Sequence, residues 1–583
     1  MNEVHCKING VEITVPEGTS IYQAAKEVNV NIPVLCYHPD LPAWAACGIC
    51  VVKLENSPKM VRACATAVSE GLSVITHDAE LHQVRKTVIE LILSTHPNSC
   101  LTCPRNQNCE LQRLAAEFGI REIPYEMNIP SIAKDTSTPS IVLDPEKCIK
   151  CGRCVAVCQG MQDVWALEFI GRGDGTRMAP AGDIALNESP CIKCGQCSAH
   201  CPVGAIYERD DTAEVIRHLR RTDNVSVVQI APAVRVAIGE AFGYEPGEIS
   251  TGKTYAALRR LGFDVVFDTN FAADLTIMEE ASEFVQRFAH GKGVLPMITT
   301  CCPSWVDYME KYYPELIPHF STAKSPQMMM ASMVKTYYAE RIGKSAEEIF
   351  HVSVMPCTSK KYEIVRCPAM SSTGAQDLDY SITTRELARM IKSAGIDFAN
   401  LPEEEVDPAL GIYTGAGTIF GATGGVMEAA LRTANHLVVG RNLPKIDFEA
   451  VRGMAGVKEA KIEIAGLEVR VAVAHQMGNA RHVVDAIRED LAAGREPRWH
   501  FIEIMACRGG CIGGGGQPYG ATDAIRKKRI AGLYKDDKQA IYRCSHENPQ
   551  VQELYDEFLG EPLSEKSHQY LHTHYTARPL YTR

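Results

Sequence analysis

The sequence predicts a multi-domain chain that ends in an α/β domain with a largely parallel sheet and begins with small cysteine-rich modules. Three observations lead there. At 583 residues the chain far exceeds the roughly 100–200 residues of an ordinary domain. Its 23 cysteines crowd into tight runs, most of them before residue 202. From about residue 211 helical stretches alternate with the short apolar runs VSVVQIAP, FDVVFD, VLPMITT, FHVSVMP and WHFIEIMA. Strands separated by helices build parallel sheets, whose ligands sit past the strands' C-terminal ends.

With 45% hydrophobic and 22% charged residues the composition is that of a folded globular chain. A formal charge of −11, from 60 basic and 71 acidic residues, disfavours nucleic acid and anionic membrane as partners, since both require a basic surface. No run of about 18 apolar residues suggests a membrane span, and the N-terminal MNEVHCKINGVEITVPEG lacks the charged-then-apolar order of a signal peptide. A cytoplasmic location is expected, and in a reducing compartment clustered cysteines hold metal more often than disulfides.

The first module opens on the alternating VHCKINGVEITVPEGTS, a β-hairpin turning near Gly10, followed by the helix IYQAAKEVN. Its cysteines are spaced Cys36-x10-Cys47-x2-Cys50-x13-Cys64. Four thiolates in a small αβ unit suit a [2Fe–2S] cluster, although the x10 gap is longer than the plant-type x4, and a structural zinc is the alternative. His38 and His77 read as packing or surface histidines. The second block, His96-x3-Cys100-x2-Cys103-x5-Cys109, follows the helical LHQVRKTVIELILSTH. It fits either a histidine-ligated iron–sulfur cluster or a Cys3His zinc site. The third block is an internal repeat: Cys148-x2-Cys151-x2-Cys154-x3-Cys158 recurs as Cys191-x2-Cys194-x2-Cys197-x3-Cys201-Pro202. This is the bacterial two-cluster ferredoxin run, in which the fourth cysteine of each run serves the other cluster. Cys158 is therefore expected to join the second cubane and Cys201 the first, with Gln159 replacing the usual proline. Carriers in series move electrons between a partner and a distant site.

Three of the C-terminal apolar runs end on cysteine, in TTCCPSW (Thr299 to Trp305), MPCTSKKYE (Met355 to Glu363) and EIMACRGGCIGGGGQP (Glu503 to Pro518). These three motifs closely resemble the signatures of the [FeFe]-hydrogenases, and the order of N-terminal clusters is similar to that of the large clostridial and NAD(P)-linked types. The resemblance implies an α/β catalytic domain over 211–583. Before it come a β-grasp [2Fe–2S] domain over 1–78, a His/Cys3 [4Fe–4S] domain over 79–125 and a ferredoxin-like 2[4Fe–4S] domain over 137–210. It implies that Cys302, Cys357, Cys507 and Cys511 hold a further [4Fe–4S] cubane. Cys511 would also bridge to a diiron unit carrying CO, cyanide and a dithiolate amine, the whole being the H-cluster. Gly509, Gly510 and Gly513 to Gly516 are expected to admit this bulky group close to the backbone.

The resemblance also assigns Cys301, the spare thiol beside Cys302, as the acid/base residue; neighbouring side chains of an extended segment point to opposite faces. In LTIMEEASEFVQRF, Glu280, Glu283 and Arg287 form one helical stripe opposite Ile277, Ala281, Phe284, Val285 and Phe288. Taken alone, such a stripe is usually a solvated face. The resemblance instead implies a proton path Cys301, Glu280, Ser321, Glu283, Arg287. It further places Lys360 as a donor to cyanide, Met355 and Met505 as soft pocket walls, and Pro232 and Gln327 at pocket positions. Ala233 stands where some members carry a serine. Implied partners are H2 and protons, ferredoxin or an NAD(P)H-linked flavin and iron–sulfur subunit, and maturation proteins that build the diiron unit.

Other features are expected to be inert. Gly247-EIST-Gly252-Lys253-Thr254 matches a P-loop, but AVRVAIGEAFGYEP before it reads as helix then turn rather than strand. Gly415, Gly417 and Gly421 miss the dinucleotide fingerprint because Phe420 occupies its third glycine position. Cys6, Cys367 and Cys544 lack metal-spaced neighbours, and HENPQVQELYDEFLG and KSHQYLHTHY read as a terminal helix and a histidine-rich end. Two rival readings are a non-catalytic assembly factor or H2 sensor, and an electron-transfer subunit like that of NADH dehydrogenase. The former sits poorly with the spare cysteine and relay residues, and the latter leaves the three C-terminal motifs without a purpose.

Overall fold

The computed structural model describes residues 2–55, 57–464 and 466–582. At the N-terminal end β1 (Glu3–Ile8) and β2 (Val11–Pro16) form the expected antiparallel hairpin. They join β3 (Val51–Leu54), β4 (Ser57–Arg62) and β5 (Leu72–Ile75) in a sheet of order β2-β1-β5-β3-β4. The helix Ile21–Glu27 is capped reciprocally by Ser20 and Gln23 and buries Ile21, Tyr22, Ala24 and Ala25. Two helices, Ala79–Ser94 and Glu110–Glu117, follow and pack together. The ferredoxin repeat is framed by two short antiparallel pairs, β6 (Ile141–Leu143) with β9 (Ile206–Glu208) and β7 (Glu168–Ile170) with β8 (Arg177–Ala179).

Two four-stranded sheets make up the C-terminal part, where the periodicity predicts one largely parallel sheet. The first, all parallel, contains β10 (Val225–Ile230), β11 (Val265–Asp268), β13 (Ile349–Met355) and β14 (Tyr380–Thr383) in the order β11-β10-β13-β14. Every residue of β13 is buried, as a strand covered on both faces requires. The second has the order β12-β17-β16-β15, from β12 (Met297–Ile298), β15 (Val457–Ile464), β16 (Leu467–His475) and β17 (Phe501–Met505). Its β15–β16 pair is antiparallel, a hairpin whose outer strand alternates in burial because one face is wet. Neither that hairpin nor β14 is singled out by the apolar runs.

The helix Thr269–His290 runs between these layers. Asp268 caps its start and Gly291, at φ 65°, ends it. Glu279, Glu280, Glu283 and Arg287 are all buried on it, so the Glu–Arg stripe is not a solvated face: neighbouring helices cover the sides that the apolar residues leave open. AVRVAIGEAFGYEP also departs from expectation, forming turns and one 3₁₀ helix, Ile238–Phe242. No helix among the described residues is long and apolar enough to cross a membrane.

Candidate active site

Loops leaving the C-terminal ends of four parallel strands, two from each sheet, converge on one cavity. Ala231, Pro232 and Ala233 follow β10; Cys301 and Cys302 follow β12; Pro356, Cys357 and Lys360 follow β13; Ala506, Cys507 and Cys511 follow β17. Met355, Met505 and Gln327 complete the predicted wall. Convergence past strand C-termini is the rule for α/β sheets, and here it gathers residues separated by up to several hundred positions.

Four thiols, Cys302, Cys357, Cys507 and Cys511, surround this space, and burial pushes Cys357 up to about 12 and raises the others. Thiols so poorly solvated and without disulfide partners are costly as free thiolates and favourable as ligands to a soft metal, so the donor set fits an iron–sulfur cubane. Ala506 N–H donates to Cys302 Sγ at 3.5 Å. Cys301 opens on the same cavity rather than away from it, because the chain turns into the helix Pro303–Tyr312 immediately after Cys302. Burial, with the charge of Glu280 behind it, raises the Cys301 thiol.

Lys360 lines the cavity, and its ammonium donates to Glu363 Oε2 (2.7 Å), Ser325 Oγ (2.8 Å) and Cys301 O (3.2 Å). Lys360 thereby also fixes the loop carrying Cys301. Gln327 is held likewise, accepting from Ser353 (2.8 Å) and donating to Glu363 (2.9 Å). The glycines after Cys507 also make room within the protein itself. A Cβ on Gly514 would meet Pro356 O at 2.1 Å and one on Gly515 would meet Cys194 O at 2.4 Å. They let the cysteine loops approach each other and the ferredoxin repeat, although Gly510 and Gly514 do line the cavity.

Behind Cys301 lies Glu280, 1% exposed, with neither carboxylate oxygen hydrogen-bonded among the described residues. Burial, helped by the nearby Glu283 charge and opposed by Ser321, pushes its carboxyl to about 8 from 4.5. Ser321 Oγ donates to Glu283 Oε2 at 3.2 Å, and Glu283 is paired with Arg287. No direct hydrogen bond links Glu280 to Cys301 or Ser321. An acid whose folded value exceeds its unfolded one favours folding while protonated, so this contribution is lost as pH rises from about 4.5 through 8. Glu280→Gln removes that loss. Thermal melts across this window should fall less steeply for the variant than for the wild type; parallel curves would show that Glu280 does not titrate there.

The remaining cysteine blocks also close on themselves. Cys50 and Cys64 sulfurs lie 3.3 Å apart, and Cys36 contacts Cys47 and Cys64. His96, Cys100, Cys103 and Cys109 share one cavity. His96 Nδ1 is buried without a partner, and burial lowers its imidazole to about 4, as suits a neutral metal-binding ring. Cys201 joins Cys148, Cys151 and Cys154 around another cavity, while Cys158 faces Cys191, whose charge adds to burial in pushing it up to about 12. Gln196, between Cys194 and Cys197, was not foreseen: its Nε2 donates to Cys507 Sγ at 3.3 Å and to Gly513 O at 3.0 Å. Only tertiary packing brings it there.

The decoys resolve physically. A Cβ at Gly252 would meet Glu403 Oε2 at 2.4 Å, an acidic neighbour no phosphate tolerates, and Lys253 is spent on Ala399 O (2.6 Å) and Tyr244 (3.0 Å). Gly417 gives room for Asn270 O at a helix crossing. Cys6 is buried in β1. Cys544 does have neighbours, His546 and Glu547, but both ring nitrogens of His546 are engaged, by Thr433 and Asn442. His38 packs on His200 at 4.5 Å between ring centres, and His77 is exposed.

Comparison with known proteins agrees with this geometry. Residues 224–515 match the family "Iron only hydrogenase large subunit, C-terminal domain" and 523–578 match "Iron hydrogenase small subunit". Residues 1–79 match a 2Fe-2S iron-sulfur cluster binding domain, 85–124 the NADH-ubiquinone oxidoreductase-G iron-sulfur binding region, and 147–205 a 4Fe-4S dicluster domain. The chain is 48% identical to the NADP-reducing hydrogenase subunit HndD of Solidesulfovibrio fructosivorans, over 99% of this chain and 100% of that one. It is 41% identical to iron hydrogenase 1 of Clostridium pasteurianum, over 97% and 99% respectively. A solved [FeFe]-hydrogenase from Chlamydomonas reinhardtii superposes with a TM-score of 0.57 at 42% identity, covering 64% of this chain and 100% of that one. With four strand-end loops meeting at a thiol-lined cavity and relatives matched along their whole length, the chain belongs to the iron-only, or [FeFe], hydrogenases and carries 2Fe-2S and 4Fe-4S domains ahead of its catalytic domain.

Proposed function

We propose that this hydrogenase interconverts H2 with protons and electrons at an H-cluster held by Cys302, Cys357, Cys507 and Cys511, with Cys301, Glu280, Ser321, Glu283 and Arg287 moving protons. The observation that carries the reading is the cavity itself. Cys301, the four ligand thiols, Met355, Met505, Pro232, Gln327 and Lys360 line it together, and the buried acids of the helix Thr269–His290 stand behind Cys301. The cofactor supplies heterolytic cleavage of H2 and a store for its electrons. Cys301 exchanges the proton at the cavity wall, Glu280 holds it out of water with an affinity matched to neutral pH, and Glu283 receives it beside Ser321.

The four units 1–78, 79–125, 137–210 and 211–583 would hold the clusters that carry electrons away. Cys36, Cys47, Cys50 and Cys64 would hold the [2Fe–2S] cluster, and His96, Cys100, Cys103 and Cys109 one [4Fe–4S] cluster. Cys148, Cys151, Cys154 and Cys201, and Cys191, Cys194, Cys197 and Cys158, would hold two further cubanes. Two contacts support this order. Gln196 ties the repeat to Cys507, and Arg153 ties it to Glu110 at 2.7 Å and to Tyr37 O at 2.8 Å, beside the ligands Cys109 and Cys36. The name of the 48% identical relative favours an NAD(P)-linked partner subunit over free ferredoxin. A cytoplasmic location, and dedicated maturation proteins that build the diiron unit, belong to the same proposal. The test is an infrared spectrum of anaerobically matured protein. Iron-bound CO and cyanide bands that shift under H2 are expected; their absence, with a control hydrogenase matured in parallel, would overturn the reading.

A further inference from the structure

We propose that protons leave Glu283 through Thr322 to His572, and that this imidazole, on the C-terminal strap, delivers them to solvent. The proposal rests on the reading of Cys301 to Glu283 as the proton path and changes its last step. Arg287 is ill suited to that step. Its guanidinium is anchored by Glu283 and by the carbonyls of Val294 (3.2 Å), Pro318 (3.4 Å), His319 (3.4 Å) and Phe320 (2.7 Å). A guanidinium stays protonated and offers no lone pair, so it holds the Glu283 charge but accepts no proton.

A second arm leaves the same carboxylate. Thr322 donates to Glu283 Oε2 from its backbone N–H (3.0 Å) and lies 3.3 Å away through Oγ1. That hydroxyl is 2.7 Å from His572 Nδ1, and His572 Nε2 is 3.0 Å from Glu279 Oε2. The strap is stitched to this loop by the bonds of Lys324 N–H to Leu571 O and Thr573 N–H to Thr322 O, both 2.8 Å. A carboxylate on Nε2 sets the tautomer: Nε2 carries the proton and Nδ1 has the free lone pair.

The step balances without electrons. Protonated Glu283 gives its proton to Thr322 Oγ1 while the hydroxyl's own proton passes to His572 Nδ1. One O–H bond is lost at Glu283, one N–H bond is gained at His572, and Thr322 ends as it began. The imidazolium then lies between the Glu279 and Glu283 carboxylates. Burial works to raise the Glu279 carboxyl, but hydrogen bonds from His572, Ser567 and Tyr555 hold it below the usual range, so it stays anionic and stabilises the cation. The other titratable group facing the ring is His568, exposed, with its ring centre 4.2 Å away; Lys324, on the facing loop, points to Ser372. His572 itself is 7% exposed, and a proton on it reaches water on the His568 side.

The test uses matured enzyme with matched CO and cyanide band intensities. His572→Gln keeps a hydrogen-bonding side chain between Thr322 and Glu279 but has no basic nitrogen. H2 oxidation should fall about tenfold or more, and the solvent isotope effect should rise. In His572→Ala, added imidazole should restore turnover, an effect that repacking alone does not produce. A His572→Gln enzyme with wild-type rate and isotope effect, alongside a slowed Glu283→Gln enzyme, would overturn this exit and leave the path intact. If Glu283→Gln were also at wild-type rate, the path reading itself would fall.

Discussion

Cys301→Ala is expected to retain its full iron content and its CO and cyanide bands while losing turnover by a hundredfold or more, about what removal of a positioned acid/base group costs. The reason lies in position. Cys301 lines the cavity next to the four thiols proposed as ligands, and it is its neighbour Cys302, at the start of the helix Pro303–Tyr312, that is proposed to take the ligand place. Glu280 stands behind it, close enough for its charge to raise the Cys301 thiol. Losing one sulfur leaves the ligand set untouched and opens only a small void, so folding should survive. Cys301→Asp, acidic and similar in size, should recover part of the rate. Wild-type turnover in Cys301→Ala would sink the assignment; loss of the cofactor bands would mean that Cys301 is a ligand.

Glu283→Gln is the second large effect, a fall of about tenfold or more in both reaction directions. Glu283 is a junction: Ser321 donates at 3.2 Å and Thr322 N–H at 3.0 Å to the same oxygen, and Arg287 holds the other. Glutamine keeps the shape but neither carries nor releases a proton, and its amide N–H₂ confronts donors. Breaking a buried pair on one side also costs about 3–5 kcal/mol of stability, so rates must be normalised to cofactor-loaded protein. Stopped-flow or film voltammetry at constant loading is the appropriate measurement, and an unchanged rate would make the Glu–Arg stripe purely structural.

Legibility in the sequence differed by residue. The cysteine blocks stood out because thiolate geometry restricts both residue type and spacing, and the apolar runs VSVVQIAP and FHVSVMP became β10 and β13 because buried parallel strands need apolar residues throughout. The stripe Glu280, Glu283, Arg287 could not be told from a solvated face by pattern alone, since helical periodicity reports which residues share a face but not what covers that face. Gly514 and Gly515 also make room for Pro356 and Cys194, segments far away in the chain that local pattern does not reveal. Lys360 was placed in the cavity by the sequence, but its bonds to Ser325 and Glu363 were not, because those residues arrive from separate elements.

Ligand chemistry is thus what the amino-acid order determines by itself: soft donors at short spacings specify clusters wherever they fall, because a metal's demands are met over a few residues. Tertiary structure decided which strand ends meet, that Gln196 touches Cys507, that Glu280 is dry and that His572 reaches Thr322. Those relations depend on desolvation and on contacts between segments hundreds of residues apart, and neither quantity is written in local sequence.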